Sequence, residues 1–160
     1  MPSSSMICAV LVALLATCGA LAMGNSTKVT LSTANTIPAI KPTGSTGSCT
    51  VKLNPANMTG TTSTSLINIK NFTVAHIHNG NATVNGPVVL VLYSKPIMSG
   101  TFTFGTTFNA SSLNPVALGL PKGTKPAEVY AVFVEKLGTS QLYGNFHTSL
   151  HPDGELRAQI

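Results

Sequence analysis

The histidines of this 160-residue chain are the residues whose type and spacing indicate chemistry. All four lie in two short segments, residues 75–80, which read AHIHNG, and residues 146–157, which read FHTSLHPDGELR. The second segment also holds two of the four acidic residues and the only arginine. Because charged residues make up only 8% of the chain, this concentration indicates either one assembled site or two structural motifs.

The first segment has the spacing of a metal-binding pair. His76 and His78 are two positions apart, and in a β-strand such residues project from the same face, with Ile77 on the other. If His147 lies on a neighbouring strand, the three imidazoles suit copper or zinc and leave a coordination position for water. The alternative is that hydrogen bonds to nearby polar groups fix these rings as structural elements. We expect His151 to be a solvated turn residue.

The rest of the sequence gives little support for an enzyme. No serine lies in a nucleophile-elbow pattern, and no glycine-rich phosphate loop follows a predicted strand. Four acidic residues are too few to indicate a glycosidase pair. The basic residues form no run, so we expect no nucleic-acid groove, although the net charge of +5 is compatible with weak attraction to acidic polysaccharide. A binding role is therefore favoured over catalysis.

The amino terminus has the features of a secretory signal. Residues 7–16 form an apolar run, and residues 20–22 form the small-x-small pattern that signal peptidase accepts. The run is shorter than the roughly 20 residues of a membrane span. We therefore predict a signal peptide over residues 1–22, a short tail over 23–27, one folded domain over 28–160, and a secreted product without a stable membrane span. Glycosylation sequons lie at Asn25, Asn57, Asn71, Asn81 and Asn109.

Cysteine usage gives a further expectation. Once the signal peptide is removed, Cys49 is the only cysteine left, so the predicted mature chain forms no internal disulfide. We expect Cys49 to be buried, because free cysteine is among the most buried residue types. The alternative is a disulfide to a partner chain, which would give a dimer that reducing agents separate.

The elements that must position the histidines are predicted to be β-strands. Short segments rich in β-branched and aromatic residues alternate with turn-formers, which is typical of an all-β antiparallel β-sandwich of immunoglobulin-like or Greek-key type. Helix signals are almost absent, and Pro115 limits residues 110–118 to about one turn. We expect the Ser/Thr-rich residues 60–65 to form a loop. The predicted strands are residues 29–31, 49–53, 66–69, 88–93, 101–104 and 129–134.

Two turns frame the remaining polar motif residues. Asn85-Gly86-Pro87 predicts a tight turn before the strand that starts at residue 88. Residues 152–154, Pro-Asp-Gly, predict a second turn, after which Glu155 and Arg157 share one face of a strand. The expected role of these two residues is an ion pair that ties the last strand to the sandwich, and a ligand clamp is the alternative.

These motifs resemble those of the CHRD domain family. The family pattern runs Ala-His-Ile-His-x-Gly, Asn-Gly-Pro-Val-Val, Tyr-x-Asn-x-His-Thr and Pro-x-Gly-Glu-Ile-Arg-Gly-Gln. Residues 34–39, which read ANTIPA, also resemble a degenerate form of the family's opening Asn-Glu-Val-Pro-Pro. The chain departs from the family pattern at Thr36, where the opening motif usually has an acid, at Leu156, which replaces isoleucine, and at Ala158, which replaces glycine. The four parts match residues 75–80, 85–89, 143–148 and 152–159, so that Asn145, Gly154, Glu155 and Arg157 are motif positions.

The resemblance covers about residues 28–160 and implies an extracellular β-sandwich without a settled biochemical activity. It favours a secreted, noncatalytic binding or matrix module whose partner is an extracellular protein or polysaccharide. The alternative is a copper- or zinc-binding protein whose ligands are His76, His78 and His147. Redox activity is one function that such a site could have.

Overall fold

A computed structural model describes residues 26–94 and 97–160. The predicted signal peptide and the sequon at Asn25 lie outside the described residues. No helix within the described ranges is long and apolar enough to cross a bilayer. One α-helix, α1, spans Pro126–Gly138, and short 3₁₀ turns lie at residues 33–35, 55–57, 110–112 and 116–118. The strands are β1 (Ser26–Leu31), β2 (Thr46–Asn54), β3 (Thr59–Asn79), β4 (Val88–Tyr93), β5 (Met98–Asn109), β6 (Leu142–Thr148) and β7 (Leu156–Gln159).

Strand β3 organises the fold, because it pairs antiparallel with four other strands. Its first half lies between β2 and β5, and its second half lies between β4 and β6. Register shifts in the middle coincide with positive φ angles at Asn68 and Asn71, a conformation that asparagine tolerates better than most residues. The strand thus passes from a first sheet, β1-β2-β3-β5, to a second sheet, β4-β3-β6-β7. The predicted antiparallel β-sandwich is confirmed.

The side chains of the two sheets alternate between the core and the outside, as strand geometry requires. In the second half of β3, Ala75 and Ile77 are completely buried in the core. His76 and His78 therefore project from the opposite, outer face of the second sheet. An isolated bridge between Ser32 and Arg157 joins the edges of the two sheets. The largest fully buried aliphatic and phenylalanine side chains are Leu31, Leu66, Ile69, Phe72, Ile77, Phe108, Phe133, Leu142, Phe146 and Leu156.

The predicted strand over residues 129–134 is wrong, because these residues lie in α1. A short apolar run has the same appearance in a buried strand and in a buried helix segment. Here Pro126 occupies the first helical turn, and the buried face recurs at helical spacing. Phe133 packs edge-on against Phe108 with ring centroids 5.6 Å apart, and the Tyr130 hydroxyl donates to the Thr59 carbonyl at 2.8 Å. The helix therefore covers one end of the sandwich.

The predicted loop over residues 60–65 is also wrong, because these residues belong to β3. Their strict alternation explains the difference. Thr62 and Thr64 are buried, whereas Thr61 and Ser63 are exposed. β-branched threonine fits a pleated strand well, and pairing with strands on both sides satisfies the backbone. Ser/Thr content by itself therefore does not indicate a loop here.

Candidate metal centre

The structure brings His76, His78 and His147 together on the outer face of the second sheet. The first two follow from the alternation of β3, and the register of β3 with β6 places His147 opposite Val74, diagonal to His76. One ring nitrogen from each histidine lies within 4.8 Å of the others. His76 Nδ1 and His147 Nε2 are 3.4 Å apart. Two chain segments about 70 residues apart thus form one cluster.

Backbone carbonyls fix the tautomers of two of these rings. His78 Nδ1 lies 2.8 Å from the carbonyl oxygen of Gly86, and His147 Nδ1 lies 2.7 Å from that of Pro152. A carbonyl only accepts, so each Nδ1 carries the proton and each Nε2 keeps its lone pair. His78 Nε2 is buried and has no hydrogen-bond partner within the described part of the chain. Metal-binding histidines typically have this arrangement.

All three imidazoles are held in the neutral form. Burial, together with the neighbouring charges that His147 and His78 would carry, lowers the pKa of His76 to about 4. Burial also lowers the pKa of His78, although the hydrogen bond to Gly86 opposes the shift. The pKa of His147 is lowered by burial against the opposing effects of Pro152 and Asp153. At neutral pH the cluster therefore offers lone pairs without first losing protons.

Tyr143 and Gly86 form the support of His78. The Tyr143 ring stacks on the His78 ring, and its hydroxyl accepts a hydrogen bond from the Gly86 N–H at 2.9 Å. The Gly86 carbonyl thus accepts a hydrogen bond from His78 Nδ1–H, and the Gly86 N–H donates to the Tyr143 hydroxyl. A Cβ at Gly86 would collide with the carbonyl oxygen of Asn79, so only glycine fits. The predicted tight turn at Asn85-Gly86-Pro87 is wrong, because the turn of this loop lies at residues 82–83 and residues 84–87 are irregular. The irregular segment nevertheless orients a site residue, through the Gly86 carbonyl.

Arg157 anchors the loop that carries Gly86. Its side chain is 2% exposed, and it donates to Asn85 Oδ1 at 2.8 Å, to the Asn81 carbonyl at 2.8 Å and to the Val84 carbonyl at 2.9 Å. The guanidinium also lies 3.6 Å from the centroid of the Tyr143 ring, a cation–π contact. One buried cation thus holds both the loop and the aromatic ring that contacts His78.

The expectation that Glu155 and Arg157 tie the last strand to the sandwich through an ion pair is wrong, because within the described residues neither side chain has an oppositely charged hydrogen-bond partner. Glu155 instead accepts from three hydroxyl groups, at 2.6–2.8 Å, those of Thr43, Ser45 and Thr148. Burial acts to raise the pKa of Glu155, but these hydrogen bonds outweigh it, and the pKa is lowered. The Glu155 carboxylate is thus stabilised by hydroxyl groups, and the Arg157 guanidinium by carbonyl and amide oxygens, instead of by an opposite charge.

The second predicted turn supports His147. Asn145 Nδ2 donates to the Asp153 carbonyl at 2.9 Å, which holds the turn whose Pro152 carbonyl receives the His147 proton. Gly154 adopts a φ of 123°, and a Cβ there would collide with the amide of Asn145. His151 lies in the same turn but outside the cluster.

A sequence model described as the CHRD domain matches residues 27–160, which include every described strand except the first residue of β1. The chain belongs to the CHRD family. The match confirms the resemblance that the histidine and turn motifs indicate. No curated protein and no solved structure has a significant match to this chain.

The other predicted sites of this CHRD domain are not members of the histidine cluster. Cys49 is completely buried, and burial raises the pKa of its thiol against an opposing hydrogen bond from Thr64. A disulfide to a partner chain would therefore require β2 to move. The described sequon asparagines are all exposed, namely Asn57, Asn71, Asn81 and Asn109. Their glycosylation stays a prediction.

Sequence reasoning found the three histidines of the CHRD domain but not the groups that orient them. The carbonyls of Gly86 and Pro152 could not be recognised as partners from the sequence, because every residue has a backbone carbonyl. The available signals were the two predicted turn motifs, of which the structure forms a turn at Pro152-Asp153 and an irregular segment at residues 85–87. The contact of Tyr143 with His78 depends on strand register, which the sequence does not specify.

Proposed function

We propose that this CHRD domain is a secreted binding module that holds one copper or zinc ion on His76, His78 and His147. The observation that carries the proposal is the buried, unpartnered Nε2 of His78, which lies in a cluster of ring nitrogens within 4.8 Å of one another. A buried polar atom without a partner costs about 1–3 kcal/mol. Ligation of a metal ion would remove this cost.

The spacing of the nitrogens supports the proposal. Metal–nitrogen bonds of about 2.0–2.1 Å at a tetrahedral angle place two ligand atoms roughly 3.4 Å apart. His76 Nδ1 and His147 Nε2 are 3.4 Å apart. The widest separation in the cluster, up to 4.8 Å, requires two ring nitrogens to approach by about 1.4 Å on binding, through rotation of their side chains.

The chemistry of the ligand set indicates copper or zinc. Imidazole nitrogen suits both metals, and the three ligand positions include no carboxylate or thiolate. Because the three ligands are neutral, the metal ion keeps its full charge. A fourth coordination position is left for water or another small ligand. The hydrogen bonds from His78 and His147 to carbonyls would hold the rings in their ligating orientation.

Family membership supports the broader part of the proposal, an extracellular-type binding module. Secretion is supported by the predicted signal peptide, and the noncatalytic character by the sequence's lack of a recognisable catalytic motif. The competing hypothesis is a matrix or interaction module whose histidines only hold loops. The two hypotheses differ in one measurable property, the binding of a metal ion.

The test is metal binding by the secreted protein, purified without a metal-binding affinity tag. Zinc and copper affinities are measured by competition with a chromophoric chelator, and bound metal is measured by elemental analysis. We expect one ion per chain, and loss of most of the affinity in His78→Gln and in His147→Gln. Circular dichroism establishes that each variant is folded.

The matched control is His151→Gln, which removes the histidine that lies outside the cluster. It should bind metal as the natural protein does. A folded natural protein that binds neither metal at micromolar concentration contradicts the proposal. Equal loss of affinity in the His151 variant would also contradict it, because the metal would then not be held by the proposed ligands.

A further inference from the structure

The outer face of the first sheet is covered almost entirely by small hydroxyl side chains. Strands β1, β2, β3 and β5 lie side by side there, and their outward residues are partly or fully exposed. The large apolar side chain on this face is Ile67, which is 43% exposed and lies opposite Thr46 at one end of β3. The other outward residues, which we call the hydroxyl face, are Ser26, Lys28, Thr30, Ser48, Thr50, Lys52, Thr61, Ser63, Ser65, Thr103, Gly105 and Thr107.

The register arranges these residues as a regular array. Ser63, for example, lies opposite Thr50 on one side and Gly105 on the other, and Thr61 lies opposite Lys52 and Thr107. Neighbouring strands are about 4.7–4.9 Å apart, and outward residues along one strand are about 6.6–6.8 Å apart. The array therefore presents closely and evenly spaced hydrogen-bonding groups on an extended surface.

The charge on this surface has one sign. Residues 1–127 contain seven lysines and no acidic residue, because all four acids of the chain lie at positions 128, 135, 153 and 155. On the hydroxyl face, Lys28 lies opposite Thr50 and is thus the diagonal neighbour of Lys52, at a distance of about 7–8 Å. No carboxylate on these four strands neutralises the two ammonium groups.

We propose that the hydroxyl face binds an acidic polysaccharide. Serine and threonine hydroxyls donate to and accept from sugar hydroxyls, and they lose little side-chain entropy when they do so. Lys28 and Lys52 would contact carboxylate or sulfate groups along the polymer. The face has no aromatic residue on which nucleic-acid bases could stack and no aromatic or arginine anchor of the kind that dominates protein interfaces. This proposal does not depend on the metal centre.

The test measures binding of the secreted protein to immobilised polygalacturonate and dextran sulfate, with neutral dextran as the uncharged control. We expect binding to the two acidic polymers that weakens as salt increases, and little binding to dextran. The double variant Lys28→Glu/Lys52→Glu should lose about tenfold or more in affinity, because two favourable charge contacts become repulsive. Replacing Thr61 and Thr107 by valine should weaken binding several-fold without any change of charge.

The matched control is Lys122→Glu/Lys125→Glu, which makes the same charge change at exposed positions before α1. We expect it to keep most of the affinity. Equal loss in both double variants would overturn the proposal, since binding would then follow net charge rather than this face. Absence of binding to both acidic polymers, or tighter binding to single-stranded DNA than to either, would also overturn it. Binding that is unchanged by a metal chelator would agree with it.

Discussion

The ring of His78 lies parallel to the ring of Tyr143, with centroids 4.9 Å apart and 11° between the ring planes. The two residues are also joined through Gly86, which accepts from His78 through its carbonyl and donates to the Tyr143 hydroxyl through its N–H. The stacking fixes the plane of the imidazole, and the hydrogen bonds fix its rotation within that plane. The orientation of the His78 ring is therefore fixed, with Nδ1 bonded to Gly86 and Nε2 left for a ligand.

Removing the Tyr143 hydroxyl should weaken metal binding. In Tyr143→Phe the ring stacking stays, but the Gly86 N–H loses its acceptor, so the carbonyl that orients His78 becomes less well fixed. We expect metal affinity to fall by up to about tenfold, less than when a direct hydrogen-bond partner of a ligand is removed, because the Gly86 carbonyl that bonds His78 stays in place. Tyr130→Phe is the control, because it removes a hydroxyl that donates to the Thr59 carbonyl elsewhere. Equal metal affinities in the two variants would refute this role for Tyr143.

Stability of the metal-free protein should depend on pH through His76. Its pKa is about 4 in the folded protein and near 6.5 when unperturbed. Between these values the unfolded chain binds the extra proton, so the free energy of unfolding falls as pH drops from about 6.5 to about 4. His76→Gln should reduce this fall, as measured by urea denaturation with a chelator present. An unchanged pH dependence in the variant, with His151→Gln as reference, would count against the prediction.

Gly154→Ala should destabilise the fold more than Gly123→Ala. Both glycines have positive φ angles, 123° and 89°, so both substitutions pay backbone strain of about 1–2 kcal/mol. Only at Gly154 would the new Cβ also collide with a side chain, the amide of Asn145, which adds about 1–3 kcal/mol. Thermal or urea denaturation measures the difference. Equal destabilisation would show that the turn shifts to accommodate the methyl group.

The Cys49 thiol should resist labelling in the native protein. It is completely buried, and its raised pKa reduces the thiolate fraction at neutral pH. We expect Ellman's reagent to react slowly with the folded chain and rapidly after denaturation in urea. A fast native reaction, or a dimer that a reducing agent separates on a gel, would instead indicate that Cys49 is available to a partner chain.

Much of the fold could be predicted because strand alternation is a local property. The two-residue spacing of His76 and His78 predicts that both rings share one face if the segment is a strand, and the structure places both residues in β3. The apolar run at residues 129–134 failed as a prediction because it fits either a strand or a buried helix, and contacts such as that of Phe133 with Phe108 favour the helix. The Ser/Thr-rich residues 60–65 failed because their composition is typical of loops, although their alternation is that of a strand.

The sequence by itself determined the β class, the CHRD motifs and the residue types able to bind a metal ion, because these depend on local pattern and composition. Only the tertiary structure decided that His147 meets His76 and His78, since strand register joins segments about 70 residues apart. It also decided that Arg157 and Glu155 hold loops through uncharged partners instead of through an ion pair. Hydrogen-bond geometry selects such partners, and it exists only once the loops are folded against the strands.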